Sequence, residues 1–195
     1  GISPVGGLIN EAGNITSSTL PYAATLFGFD LIKWLDVTQL VAFGAMAMVA
    51  LWLGFRAPAG NVEALAASGT VLLFTFMLLS PKAYTIYLVM MQVPVSIWLG
   101  AHIAKNGVSL RLLVYALVMI CAAVDISVWF TLMDKGPLSL VFTETDPGRK
   151  LAMGLFVLAQ AVQLLGYAYL LFAALNDFRA ITSQARASAE VPADR

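Results

Sequence analysis

The chain has 195 residues, 60% of them hydrophobic and 11% charged, with a formal net charge of zero. Soluble domains carry about 25% charged residues, so this composition excludes an ordinary water-facing surface and points to helices in lipid. No basic run is present to mark a nucleic-acid partner. A single cysteine, Cys121, and a single histidine, His102, exclude an intrachain disulfide, a cysteine metal cluster and a bis-histidine haem site within the chain.

The first residue is Gly1, and no basic stretch precedes an apolar one, so no signal peptide is read there. Further helices are expected upstream of it. Gly, Asn, Ser and Thr dominate up to Thr19, which reads as loop. From there Leu20, Ala23, Ala24, Phe27, Leu31 and Trp34 recur at helical spacing, with Pro21 in the first turn. Glu11, Asp30, Lys33 and Asp36 interrupt the hydrophobicity, so this amphipathic helix is expected to lie along the interface.

A spanning helix needs about 20 apolar residues, and five windows qualify. They run from about Val37 to Phe55, Ala64 to Ser80, Ala83 to Ala101, Leu110 to Leu132 and Leu151 to Leu175. Pro, Gly and Asn break the linkers at 56–61, 80–82 and 105–107, and a longer loop covers 134–150. Trp34, Trp52, Trp98 and Trp129 fall near proposed helix ends, the position of an aromatic belt. The predicted fold is all-α: a polytopic transmembrane bundle of five helices over 37–175, preceded by an extracytoplasmic loop and interfacial helix over 1–36. A polar tail over 176–195 is expected to be disordered past a helical first turn.

Five crossings put Lys33, Lys82, Lys135, Arg149 and Lys150 on one face and Arg56, Lys105, Arg111, Arg179, Arg186 and Arg195 on the other. The excess of one favours a cytoplasmic C-terminus, here in a plasma membrane, with 80–82 outside.

Asp125 is the one ionisable residue well inside a window, about seven residues or roughly 10 Å from the outer end of its helix. Gln92 and Gln160 come to a similar depth, so the three could form one polar layer. That layer reads either as part of a substrate cavity or proton site, or as an interhelical hydrogen-bond clamp with Asp125 neutral. At the outer boundary, Ser80-Pro81-Lys82 forces a sharp turn, which puts Lys82 at the headgroup level with Tyr84 and Tyr87 one turn apart behind it. Lys82 reads either as a contact for a lipid-borne phosphate or as a snorkelling cation. His102 is expected to be solvated or interfacial. No metal motif, phosphate-cradling glycine loop or nucleophile elbow is present.

Read in order, Gly-Asn-Ile-Thr-Ser-Ser at 13–18, an amphipathic segment ending Leu-Phe-Gly at 26–28, and a second apolar helix ending Leu-Leu-Ser-Pro-Lys-Ala-Tyr at 78–84 resemble a known family. They look like the C-terminal part of polyprenol-phosphate-dependent mannosyltransferases of the glycosyltransferase C superfamily. The resemblance covers roughly residues 10–100. It implies a substrate, a polyprenyl-phosphate-linked sugar donor used at the extracytoplasmic face, and no separate cofactor. It maps Asn14 and Ser17 onto the first motif and Ser80, Pro81 and Tyr84 onto the second, with Lys82 a donor contact by position. Where many members carry Trp-Asp-His-His after Ser-Pro, this chain has Ala-Tyr-Thr-Ile-Tyr after Lys82. The family's catalytic acid lies in an earlier loop that no residue here matches. Glu11, Asp30 and Asp36 are outer-face carboxylates without a motif that marks a base, so the catalytic residue is unknown.

Two alternatives stand beside the transferase. One is a non-catalytic membrane subunit or scaffold packing against partner helices or an N-terminal part of its own chain, favoured by the lack of a self-sufficient catalytic constellation. The other is a piece of a transporter built on the Asp125 layer, weakened by the absence of an internal repeat.

Overall fold

The computed structural model describes residues 19–21, 24, 35–80, 92–132 and 145–190. Among these residues every regular element is helical. Five helices follow in chain order: α1 Leu35–Arg56, α2 Val62–Leu79, α3 Gln92–Asn106, α4 Leu110–Leu132 and α5 Pro147–Glu190. The predicted interfacial helix falls mostly outside the described residues; Leu20, Pro21 and Ala24 are helical.

Local chemistry explains where the helices stop and start. Past Arg56, the Ala57 N–H still reaches Leu53 O at 2.8 Å, and Pro58 to Gly60 then turn the chain, with Gly60 at φ +75°. A left-handed residue of this kind favours glycine because a Cβ would clash with the backbone. Asn61 caps α2, its Oδ1 accepting the Ala64 N–H at 2.9 Å, and Glu63 adds a carboxylate to the first turn, where the helix dipole favours it. At the other end, Ser80 has an extended backbone (φ −72°, ψ 126°) while its N–H bonds Phe76 O at 2.9 Å. The ring of Pro81 imposes that conformation on its predecessor. Gly107, at φ +73°, ends α3 by donating to Ile103 O at 2.8 Å, a left-handed cap that releases the chain into α4. Asp146 opens α5 by accepting the Gly148 N–H, with Pro147 in the first helical position.

The centre of the bundle is α2. It buries most of its length, and α1, α3 and α5 all pack on it, while α4 packs on α5. Leu73, Phe74 and Met77 of α2 meet Tyr167, Leu170 and Ala174 of α5 in one core, with Val95 and Trp98 from α3 and Val118 from α4. The Phe74 and Tyr167 rings lie 5.7 Å apart. At Gly166 a Cβ would come 2.2 Å from Val118 Cγ2, so the missing side chain is what lets α4 and α5 approach so closely. Small residues serve this purpose in membrane helices.

Three described helices are long and apolar enough to cross a membrane: Val37–Arg56, Val62–Leu79 and Pro147–Ser188. The 22 residues of α1 extend about 33 Å, close to the ~30 Å hydrocarbon thickness. Its outer face is unburied and apolar, with Leu40, Met48 and Phe55 at 73%, 73% and 87% exposure. Water would oppose such a surface, whereas lipid solvates it.

α3 ends at Asn106, within the break expected at 105–107, and His102 and Asn106 find hydrogen-bond partners at its end. One boundary differs from expectation. The tail over 176–195, expected to be disordered past a helical first turn, is helical as far as Glu190. It is rich in good helix formers, and Phe178, Ile181 and Thr182 return at helical spacing. Phe178 is fully buried and its ring lies 5.8 Å from Trp52 of α1, so tertiary packing holds a segment that looks polar on average.

Candidate functional site

At the C-terminal end of α2, Ser80 is buried at 5% exposure and terminates the most deeply packed of the described helices. Lys82 and Tyr84, expected beside it, lie outside the described residues, as do Asn14 and Ser17. Gln39, Phe43 and Phe76 surround the Ser80 end of the helix.

Of the expected intramembrane layer, Gln160 is buried on α5 at 3% exposure, and half-buried Gln92 opens α3. Asp125 is a residue of α4, three past buried Ala122, and its side chain is outside the described residues. A further polar residue, Gln163, lies one turn from Gln160. Gln163 is fully buried; its Oε1 accepts the Tyr167 hydroxyl at 3.0 Å, and its Nε2 has no partner. A buried amide with one unused donor is costly, so Gln163 adds a second buried polar group to α5 beside Gln160.

The most developed polar arrangement is at the opposite end, where α3 finishes, α4 begins and α5 passes. Asp177 of α5 accepts from Arg111 of α4 through both carboxylate oxygens, Nη1 to Oδ2 and Nη2 to Oδ1, the latter at 3.1 Å. The indole N–H of Trp98 on α3 donates to Asp177 Oδ2 at 2.9 Å. The guanidinium carbon lies 5.5 Å from the centre of the Trp98 ring, within cation–π range. His102, expected to be solvated, instead meets Arg111: its Nδ1 is 3.0 Å from Arg111 Nη1. Arginine only donates, so this Nδ1 is the acceptor and the ring proton is on Nε2. Asn106 adds a donor to the same Nδ1 at 3.2 Å.

This network joins three helices through one carboxylate. Arg111 and Asp177 side chains are 19% and 28% exposed, so the pair is half-buried, and its forked geometry is the stronger kind of ion pair. Next to it Lys105 pairs with Glu63, tying α3 to the first turn of α2 with both side chains well exposed. Between these groups and α5 lies a cavity of about 190 Å³ lined by Trp98, Ala101, His102, Lys105, Glu63 and Gln184. Among the described residues no three His, Cys, Asp or Glu side chains are grouped to hold a metal ion.

One signal in the sequence could have found this site. Trp98, His102 and Lys105 share a helical face by their spacing, and Arg111 and Asp177 are opposite charges just inside or beside apolar windows at the same predicted membrane boundary. The described residues define an all-helical fold with three helices long and apolar enough to cross a membrane. Comparison with known proteins returned no matching family model, no matching curated sequence and no matching solved structure.

Proposed function

We propose that this chain is the donor-binding membrane part of a glycosyltransferase that moves a sugar from a polyprenyl-phosphate-linked donor at the extracytoplasmic face. The observation that carries the reading is the end of α2. Ser80 is buried and extended at the end of the most deeply packed of the described helices, and Pro81 and Lys82 follow it in the sequence. A rigid platform at the membrane boundary is what binding of a lipid-borne phosphate needs, and Lys82 follows two residues later. In this reading the chain crosses a plasma membrane five times with its C-terminus in the cytoplasm and the 1–36 interfacial segment outside. Lys82, Ser80, Tyr84, Asn14 and Ser17 bind the donor, and no residue of the chain is assigned as the base.

The direct test is binding of a fluorescent polyprenyl-phosphate sugar to the purified protein and to Lys82→Ala. A charge-assisted hydrogen bond to phosphate is worth about 1.5–3 kcal/mol, so the variant should bind at least tenfold more weakly. Unchanged binding removes Lys82 from the site, and no binding by either protein sinks the reading.

A second reading, a non-catalytic membrane subunit, is favoured by the exposed apolar face of α1 and by the internally paired Arg111–Asp177 network. It predicts a stable complex with other membrane helices and no donor binding.

A further inference from the structure

The cavity at the α3–α5 end has a lining that selects its occupant. It lies at the level where α1 ends at Arg56, α2 begins at Val62 and α3 ends at Asn106. With α1 and α2 as spans, that level is the lipid–water boundary. Trp98, Ala101 and Ile181 make an apolar floor. The rim carries one ammonium, Lys105, and one carboxylate, Glu63, 61% and 41% exposed, with Asn106 and Gln184 as neutral hydrogen-bonding groups beside them.

We propose that this cavity binds the headgroup of a phosphoethanolamine-type phospholipid, the phosphate taken by Lys105 and the primary ammonium by Glu63. Balanced charge is the first reason. A lone anion would face Glu63 and Asp177, and a lone cation would face Lys105, whereas a zwitterion meets both signs. The second reason is that the Lys105–Glu63 pair is exposed and so contributes little by itself. Its two ends open readily to admit a phosphate and an ammonium between them. Donor count gives the third. A primary ammonium donates hydrogen bonds to a carboxylate, and a quaternary one cannot. The aromatic face that could hold a quaternary ammonium is already approached by Arg111, 5.5 Å from the Trp98 ring centre. Asp177 is committed to Arg111 and Trp98 and is the back wall of the cavity. This inference does not depend on the transferase reading, because the cavity and Ser80 are at opposite ends of α2.

Delipidated full chain in detergent, titrated with phosphatidylethanolamine, phosphatidylcholine and phosphatidylglycerol of identical acyl chains, tests it by native mass spectrometry and thermal unfolding. The ethanolamine lipid should bind about tenfold more tightly than the other two. Glu63→Gln combined with Lys105→Gln should abolish that preference. Ala180→Phe, an exposed wall position, should do so by filling the space while leaving both charges in place. Equal affinity for the three headgroups overturns the proposal, as does a preference that survives both variants. Soluble phosphoethanolamine that binds where the lipid does not overturns the lipid identity. Donor binding through Lys82 should be unaltered in these variants, which separates failure of one proposal from failure of the other.

Discussion

Asp177 receives hydrogen bonds from two other helices, and its removal leaves a half-buried guanidinium without its carboxylate and an indole N–H without its acceptor. Asp177→Ala should therefore lower stability by about 2 kcal/mol, read as a lower midpoint in thermal or denaturant unfolding in detergent. Arg111→Lys should not preserve the wild-type midpoint, because an ammonium cannot reproduce the bidentate fork. By contrast, Glu63→Ala or Lys105→Ala should change the stability by no more than about 1 kcal/mol, since both side chains are exposed. The same residues show what a linear reading misses. Asp177 looked like the start of a polar tail and His102 like a solvated helix end. Their partners are 66 and 9 residues away in Arg111, and no local pattern joins them. Gln160 was legible as a polar residue in an apolar window. Gln163 stands in the same window, and its complete burial follows only from the face that α5 turns to α2.

At the scale of the element, the α4–α5 contact rests on one missing side chain. Gly166→Ala would put a Cβ 2.2 Å from Val118 Cγ2, and relief of that overlap should cost about 1–3 kcal/mol. Combining it with Val118→Ala should recover part of the loss. A double-mutant cycle measures the recovery, and additive effects would show that the two positions are not in contact. The C-terminal half of α5 makes a second prediction. Phe178→Ala should destabilise the bundle by about 3 kcal/mol, because the ring is fully buried against Trp52. A disordered tail would show no such loss. The apolar windows were legible as helices because α-helical hydrogen bonds are local and run lengths near 20 residues suit a bilayer. The extension past Leu175 was not, because its apolar residues are few and their value lies in where they land.

For the whole molecule, three described helices have the length and apolarity to cross a membrane. The proposed five-crossing arrangement puts 56–61 and 105–107 on one side and 80–82 on the other. Single cysteines at Ala59 and at Lys82, in a chain with Cys121 replaced, should label with an impermeant maleimide from opposite sides of sealed vesicles. Labelling of both from one side would overturn the arrangement. Under it, the two polar regions are also on opposite faces. The Ser80 end of α2 faces out, where the transferase reading needs it, and the Arg111–Asp177 network faces in, beside the proposed headgroup cavity.

What the sequence determined by itself is the solvent and the elements. A chain with 60% hydrophobic and 11% charged residues, broken at Pro, Gly and Asn, becomes apolar helices because each must satisfy its own backbone in lipid. Only the tertiary structure decided that α2 is central, that α5 carries the fold beyond its apolar stretch, and that Trp98, Arg111 and Asp177 meet. Those facts depend on which faces pack together, and in an evenly apolar helix no amphipathic stripe marks the inward face before its neighbours arrive.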